Sequence, residues 1–400
     1  MTINFEIQDK KVILNIINWG RLPKHILDLI LRKLESPMDY LQFSAVCLSY
    51  FFITKDNQNK LVKMLRLHQA PMLLIPTAKE YTWKMYNVMN NKYLEKNILV
   101  THDKRFGGSS EGWLVTVEED YTVKLYKPIL VNEEDRNNPN RIVHLPCLFP
   151  PAELLRAADI ELRGLHILST TIVTINPIEN PDDFFVVVRY GEFSQLAFIR
   201  PSKDTKWIPV DVGERIPFHD VVYYKDKFYA INIKGKVIAF DVTNSPSLNI
   251  NLVKRQRSAI AILGKRYLVK SLEEELLMVE RYSKQDINYN RRVFKFKVFK
   301  LDLKRSRWIK IKSLGKNALF LGDNSSISIN ASNFDGCQHN CIYFTHDEDT
   351  TGYGSHGPCD LGVYNLESGI FVWRYNIELD VIATMNKRPP VWLVPTINAY

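Results

Sequence analysis

The sequence predicts a mainly β chain that begins with a short α-helical segment, with the β part closing on itself as a propeller. Three observations carry this. Apolar residues recur at helical spacing only between Leu22 and about Leu67. After Pro71 about twenty short runs rich in Val, Ile, Phe, Tyr and Trp follow one another, separated by Gly, Asn, Asp, Lys and Pro turns. Within them a strand, polar turn, Trp phrase recurs at Trp207, Trp308 and Trp373. Its irregular spacing of roughly 40–60 residues suits propeller blades, six as the central expectation within a range of five to seven.

The helical elements come first. In WGRLPKHILDLILRKL (19–34) Pro23 suits a first helical position, where its missing N–H costs nothing. Ile26, Leu27, Ile30, Leu31 and Leu34 then fall on one face. Ser36-Pro37 breaks the chain, and Asp39 is placed to cap a second segment carrying Leu41, Phe43, Val46, Cys47 and Tyr50. A third helix is expected over 58–67. A unit this small is expected to be unable to bury a core alone.

Strands are expected near 72–75, 82–88, 112–117, 121–126, 167–175, 184–190, 195–200, 206–210, 220–224 and 227–233. They continue near 236–242, 266–271, 275–282, 293–301, 307–311, 325–330, 341–345, 361–365, 370–374 and 391–394. Only 152–158 reads as helical again. About twenty short strands are too many for one sandwich. In a closed ring the strands near 72–88 would share a blade with the C-terminal VWLV, which removes free edges.

Composition narrows the function. Charged residues are 24% and apolar ones 46% of 400 residues, the balance of a globular chain. No apolar run reaches the ~18 residues of a membrane helix, and the N-terminus has no signal-peptide pattern. Five cysteines form a sparse, odd set that fits a reducing compartment, hence cytoplasm or nucleus. KRQR (254–257) and KRSR (304–307) are weak import signals. The formal charge of +9 permits weak contact with nucleic acid or acidic partners and requires neither. For the target it weakly favours an acidic or phosphorylated partner, and nucleic acid is not the expected one.

Trp19, Leu22-Pro23, Ile26-Leu27, Ile30, Leu34, Asp39, Phe43 and Val46-Cys47 follow the F-box pattern of W-x-x-L-P-x-x-(L/I)-L-x-x-(L/I), then D-x-x-x-F and V-C-x-x-W. The N-terminal segment therefore resembles an F-box, with Tyr50 where the family has tryptophan and Phe51 where an arginine often follows. The stretches GGSSEGWLVT (107–116), DKFYAINIKGKVIAFDV (226–242), ALFLGDNSSISI (318–329), NCIYFTHD (340–347) and PPVWLVPT (389–396) resemble the kelch-like propeller of a large plant F-box family. The resemblance implies an extension over 1–18, an F-box over 19–67 and a propeller over 72–396. It implies a non-catalytic subunit of a Skp–cullin–F-box ubiquitin ligase. Leu22, Pro23, Ile26, Leu27, Ile30, Leu34, Phe43, Val46 and Tyr50 would bury against the Skp-type adaptor, and through it cullin, while the propeller recruits a protein target. An F-box-derived scaffold without ligase activity is the competing reading, and Tyr50 and Phe51 favour it.

No constellation competes with this reading. Cys337, His339 and Cys341 alternate as residues on one strand face do, but lack the C-x-x-C spacing of a zinc knuckle, so no metal or cofactor is expected. GGSSEGW lacks the GK[ST] ending and precedes a strand, so its glycines are expected in turns. GYGSHG (352–357) sets Ser and His side by side in a loop, which makes no nucleophile, base and orienter set. In RRVFKFKVFKLDLKRSRWIKIK (291–312) alternation puts lysines on one face and Phe294, Phe296 and Val298 on the other, as in a solvated edge strand. Target contact is expected from the polar insertions 131–141, 283–292 and 345–360.

Overall fold

The computed structural model describes residues 22–34 and 37–57 and, between 70 and 394, all but several connecting segments, the longest being 129–140, 149–167, 347–359 and 374–389. Trp19, the helices expected over 58–67 and 152–158, and most of the insertions 131–141 and 345–360 lie outside the described residues. The chain divides into two compact units, the first built on Met1–His68 and the second comprising Gln69–Pro395.

In the first unit, helix α1 spans Lys24–Lys33. Pro23 stands just before it rather than inside its first turn, with φ −57° and ψ 145°. Its carbonyl accepts the Ile26 and Leu27 N–H groups at 3.0 and 3.1 Å. Pro37 opens α2 (Pro37–Ser44), so Asp39 lies within that helix and not at its cap. The segment read as one helix is two. Cys47 is extended, with φ −166° and ψ 174°, and α3 (Leu48–Asp56) starts afresh after it. No Gly or Pro marks this break, which is why the apolar run 45–53 conceals it.

Leu27, Leu31, Tyr40, Phe43, Tyr50 and Ile53 pack together into a core of the unit's own. The Tyr40 hydroxyl crosses it to donate to the Asn57 and Thr54 carbonyls at 2.7 and 3.3 Å. Burial, and then the nearby Asp28 carboxylate, pushes the Tyr40 phenol up to about 12. The expectation that so short a segment could not bury a core is corrected: six side chains, two from each of three helices, close a small one.

The second unit is six sheets in a ring. Blade 1 holds β1 (Met72–Pro76), β2 (Thr82–Asn87), β3 (Lys92–Asn97) and, from the other chain end, β25 (Val391–Leu393). Blade 2 holds β4 (Phe106–Ser110), β5 (Trp113–Val117), β6 (Thr122–Tyr126) and β7 (Ile142–Cys147). Blade 3 holds β8 (Leu168–Val173), β9 (Val186–Tyr190), β10 (Gln195–Ile199) and β11 (Ile208–Pro209). Blade 4 holds β12 (Phe218–Tyr224), β13 (Lys227–Asn232), β14 (Lys236–Phe240) and β15 (Asn251–Arg255). Blade 5 holds β16 (Lys265–Lys270), β17 (Leu276–Gln285), β18 (Arg291–Asp302) and β19 (Arg307–Ile311). Blade 6 holds β20 (Asn317–Leu321), β21 (Ser326–Asn330), β22 (Cys341–Phe344), β23 (Gly362–Asn365) and β24 (Ile370–Trp373).

Each blade packs on both faces against its neighbours, so its central strands are buried throughout, as β9 and β22 are. Closure is as expected. Leu73 faces Trp392 across the β1–β25 pair, and the Trp392 indole donates to the Leu321 carbonyl of blade 6 at 3.1 Å.

One connection stands apart, and two expectations need correction. In blade 6, β20 pairs antiparallel with β21 and parallel with β22, so the chain makes an inner hairpin and then crosses back. That crossover passes through Gly336, at φ +81°, where a Cβ would come within 2.6 Å of the Met89 carbonyl oxygen. Gly107 and Gly108 are not turn glycines but lie in the innermost strand β4, and Gly112 alone of that group makes the turn (φ +78°). Finally, β18 is no edge strand, because it runs between β17 and β19.

Side chains latch the blades together. The Trp207 indole donates to the Pro146 carbonyl at 2.9 Å, tying blade 3 to blade 2. Arg189 reaches the Phe218 carbonyl at 3.0 Å, and Arg266 the Ile233 carbonyl at 2.9 Å. Asp220, on the innermost strand of blade 4, accepts the Leu268 N–H of blade 5 at 2.8 Å. Arg281 of blade 5 meets Asp360, beside blade 6, at 2.7 Å, and both are buried. Such pairs are costly to desolvate and costly to break singly, so they fix arrangement more than they add stability.

Candidate functional site

The residues expected to dock an adaptor divide into three groups. Leu27, Phe43 and Tyr50 are buried in the helical unit's own core, with the Phe43 and Tyr50 rings 4.6 Å apart. Their side chains are covered by that core, so they support the surface from beneath it. Leu22, Ile26, Ile30 and Leu34 are half-buried along the edge of that core. Pro23 and Val46 are exposed. Tyr50, in the position where the family has tryptophan, therefore packs as an aromatic should.

The structure adds Leu29, Leu48 and Phe52, which the pattern passed over, to Val46 and Phe51, which it named. Leu48 is 73% exposed, Phe52 57%, Val46 56%, Leu29 54% and Phe51 48%. Leu48, Phe51 and Phe52 stand at i, i+3 and i+4 and so share one face of α3. The Phe51 and Phe52 rings touch edge to face at 5.8 Å. That spacing is visible in LSYFF, but Phe51 reads there as a departure from a motif rather than as part of a stripe. Covering a Leu or Phe side chain fully is worth roughly 1.5–3 kcal/mol, so this face offers a partner substantial binding energy. Lys24 meets Asp56 at 3.0 Å and Asn57 donates to Asp28 at 3.3 Å, tying α1 to the end of α3.

Elsewhere the candidate chemistry is accounted for by structure. Cys337 and Cys341 are both buried, and burial pushes both thiols up, Cys337 to about 11, so neither offers a thiolate at neutral pH. The Cys341 sulfur accepts from the Asn365 amide at 3.6 Å. Among the described residues no three His, Cys, Asp or Glu side chains gather as a metal site. GYGSHG lies outside the described residues.

A cavity of about 180 Å³ between blades 5 and 6 is lined by Ser271, Glu273, Glu275, Asn317 and Ser328 among others. Burial raises the Glu273 carboxyl, but its hydrogen bonds outweigh that and hold it below the usual carboxylate range, the Asn317 amide donating at 2.7 Å. Glu275 is paired with Lys300. A general acid needs the shift opposite to that of Glu273, which instead ties blade 5 to Asn317 of blade 6.

A family model described as the KIB1-4 β-propeller matches residues 82–365, most of the ring just described. In Arabidopsis thaliana, F-box protein SKIP23 is 27% identical over 96% of this chain and 97% of its own length. Probable F-box protein At1g65740 is 30% identical over 83% of this chain and 91% of its own. A putative F-box/kelch-repeat protein, At5g24040, is 25% identical over 95% of this chain and 99% of its own. With a helical N-terminal unit, a six-bladed ring and full-length similarity of this kind, the chain belongs to the KIB1-4 β-propeller family and is a plant-type F-box protein.

Proposed function

We propose that this chain is a non-catalytic substrate receptor of a Skp–cullin–F-box ubiquitin ligase. Residues 19–67 dock the Skp-type adaptor, and 72–396 recruit a protein target in the cytoplasm or nucleus. The observation that carries this is the stripe of Leu48, Phe51 and Phe52, with Val46 beside it: the helical unit closes its own core and still presents large apolar side chains to solvent. Monomeric proteins seldom expose such patches without a partner to cover them. Leu22, Pro23, Ile26, Ile30 and Leu34 lie near the surface and belong to the same docking unit. The curated relatives being F-box proteins supports the reading.

The test is co-purification of the full chain with a plant Skp-type adaptor and cullin. Wild type is expected to recover both, a Leu48→Ser/Phe52→Ser variant neither, and a Leu22→Ala/Pro23→Ala variant less of both. Equal recovery from all three, or none from wild type, overturns the proposal. Recovery of adaptor without cullin would favour a scaffold outside the ligase.

A further inference from the structure

We infer that the β17–β18 hairpin of blade 5 is a docking ledge for a carboxylate-rich polypeptide segment carrying an apolar side chain. This names the chemistry of the target and rests on the receptor reading only for the claim that the occupant is a ligase substrate.

The hairpin is built from the two longest strands of the ring, of 10 and 12 residues. From Lys284 to Lys297 the sequence carries five basic residues against one carboxylate, Asp286. Residues directly opposed across antiparallel strands point to the same face. The pairs Glu280 with Lys297, Tyr282 with Lys295 and Lys284 with Arg292 therefore gather four cations on one face. The carboxylate on that face is already engaged: Glu280 is buried, accepts from Arg266 at 3.3 Å and from the Tyr282 hydroxyl at 2.6 Å. Lys284 and Lys295 are exposed. The Arg266 bond to the Ile233 carbonyl brings the neighbouring turn of blade 4, with exposed Lys234, alongside.

A register shift between Tyr282 and Ser283 changes the meaning of the alternating sequence. Phe296 and Val298 are buried as alternation requires. Phe294 falls at the shift, meets the Tyr282 ring edge to face at 6.3 Å, and is 48% exposed. The aromatic expected opposite the lysines thus stands among them. Lysines beside one open aromatic suit an acidic peptide with an apolar anchor. A single nucleic-acid strand calls instead for successive stacking platforms, and here the second ring, Tyr282, is already covered by the Lys297 ammonium 4.4 Å from its centroid.

The test is fluorescence anisotropy of the full chain with four labelled probes: an oligoglutamate peptide with a central leucine, the same peptide without the leucine, the oligoglutamine counterpart of the first, and an oligothymidylate strand. The glutamate peptide is expected to bind, with affinity falling as salt rises. Lys284→Glu/Lys295→Glu should weaken it about tenfold or more, because like charges then face the peptide. A Lys203→Glu/Lys206→Glu variant makes the same charge change on exposed blade 3 lysines and should keep wild-type affinity. Phe294→Ala should weaken only peptides that carry the leucine. Equal losses in both double variants, no loss in the first, or tighter binding of the oligothymidylate overturns the inference. Adaptor recovery by the Lys284→Glu/Lys295→Glu chain reports on the receptor reading separately.

Discussion

The helical unit and the propeller handle apolar surface in opposite ways. The ring spends its large side chains between blades: Trp113, Trp207 and Trp392 are all buried, and the indoles of Trp207 and Trp392 each donate to a carbonyl of a neighbouring blade. Among its described residues the helical unit buries six apolar side chains and leaves Leu29, Val46, Leu48, Phe51 and Phe52 in solvent. A closed ring has no incomplete neighbour, because every sheet face meets another sheet. The helical unit, among its described residues, leaves large apolar side chains open to solvent. The difference predicts where substitutions act on stability and where they act on association.

The comparison breaks most severely at the closure. Removing the residues after Pro389 deletes β25, the innermost strand of blade 1 and the strand that joins the two chain ends. Urea unfolding followed by tryptophan fluorescence should lose its cooperative transition. A soluble truncation with a wild-type transition would mean that the ring does not need its seam. Trp392→Ala is the graded version. It empties the space against Phe320, whose ring lies 5.0 Å from the indole, and leaves the Leu321 carbonyl without this donor. An expected loss of about 3–5 kcal/mol follows from a large side chain deleted in a core that cannot collapse around it.

Much of the ring was legible because blade strands buried on both faces are rich in β-branched and aromatic residues. Five strands were not, each for a physical reason. β3, KYLEKN, is an outermost strand with mostly exposed residues and so has no apolar signature. β4, FGGSS, sits where small residues suit the crowded middle of the ring, and reads as a turn. β7 contains Pro146, and β15 is a short outer strand of mixed polarity. β20, NALFL, is wholly buried, but its parallel pairing with β22 belongs to a crossover that no local period announces. The candidate site was half legible. Helical spacing identifies the apolar stripe of α1, yet spacing alone does not say that Leu27 and Leu31 meet the unit's own core while Leu48 and Phe52 of α3 face solvent. The lysine ledge was misread because alternation assumes an unbroken register, and the shift at Tyr282 moves Phe294.

A smaller effect should appear in the pH dependence of the ring. Burial pushes the Asp220 carboxyl up to about 6 from an ordinary 3.8, despite the N–H groups of Leu268 and Val221 that it accepts. The folded state then holds this proton more tightly than the unfolded chain. Stability from this group is full below about pH 4 and is lost as pH rises through about 6, by up to about 3 kcal/mol. Asp204 shifts the other way, held low first by its bond to Arg200, so its contribution falls away only below the ordinary carboxylate range. The two windows are therefore separable. Asp220→Asn retains one acceptor oxygen, so it should carry a pH-independent penalty of about 1–3 kcal/mol for the N–H left unpaired. Urea midpoints taken from pH 4 to 7 should decline for wild type relative to the variant, and parallel curves would count against the raised carboxyl.

The smallest effect on stability is expected where the exposed residues are largest. Leu48→Ser and Phe52→Ser remove side chains that touch mostly water, so the free chain should change by no more than about 0.5 kcal/mol. Leu27→Ala, two positions from exposed Leu29, removes a side chain from a six-residue core and should cost at least about 2 kcal/mol. Amide hydrogen exchange of 22–57 in the full chain separates the cases, because it reads opening of the helical unit apart from the ring. Protection should be unchanged in the two serine variants and reduced in Leu27→Ala. With adaptor in excess, wild type should gain protection by mass action, whereas the serine variants should gain little because the face that binds has been removed. A loss of protection in free Leu48→Ser equal to that in Leu27→Ala would show that the stripe already belongs to the unit's own packing, and the contrast between a closed ring and an open-faced helical unit would fail.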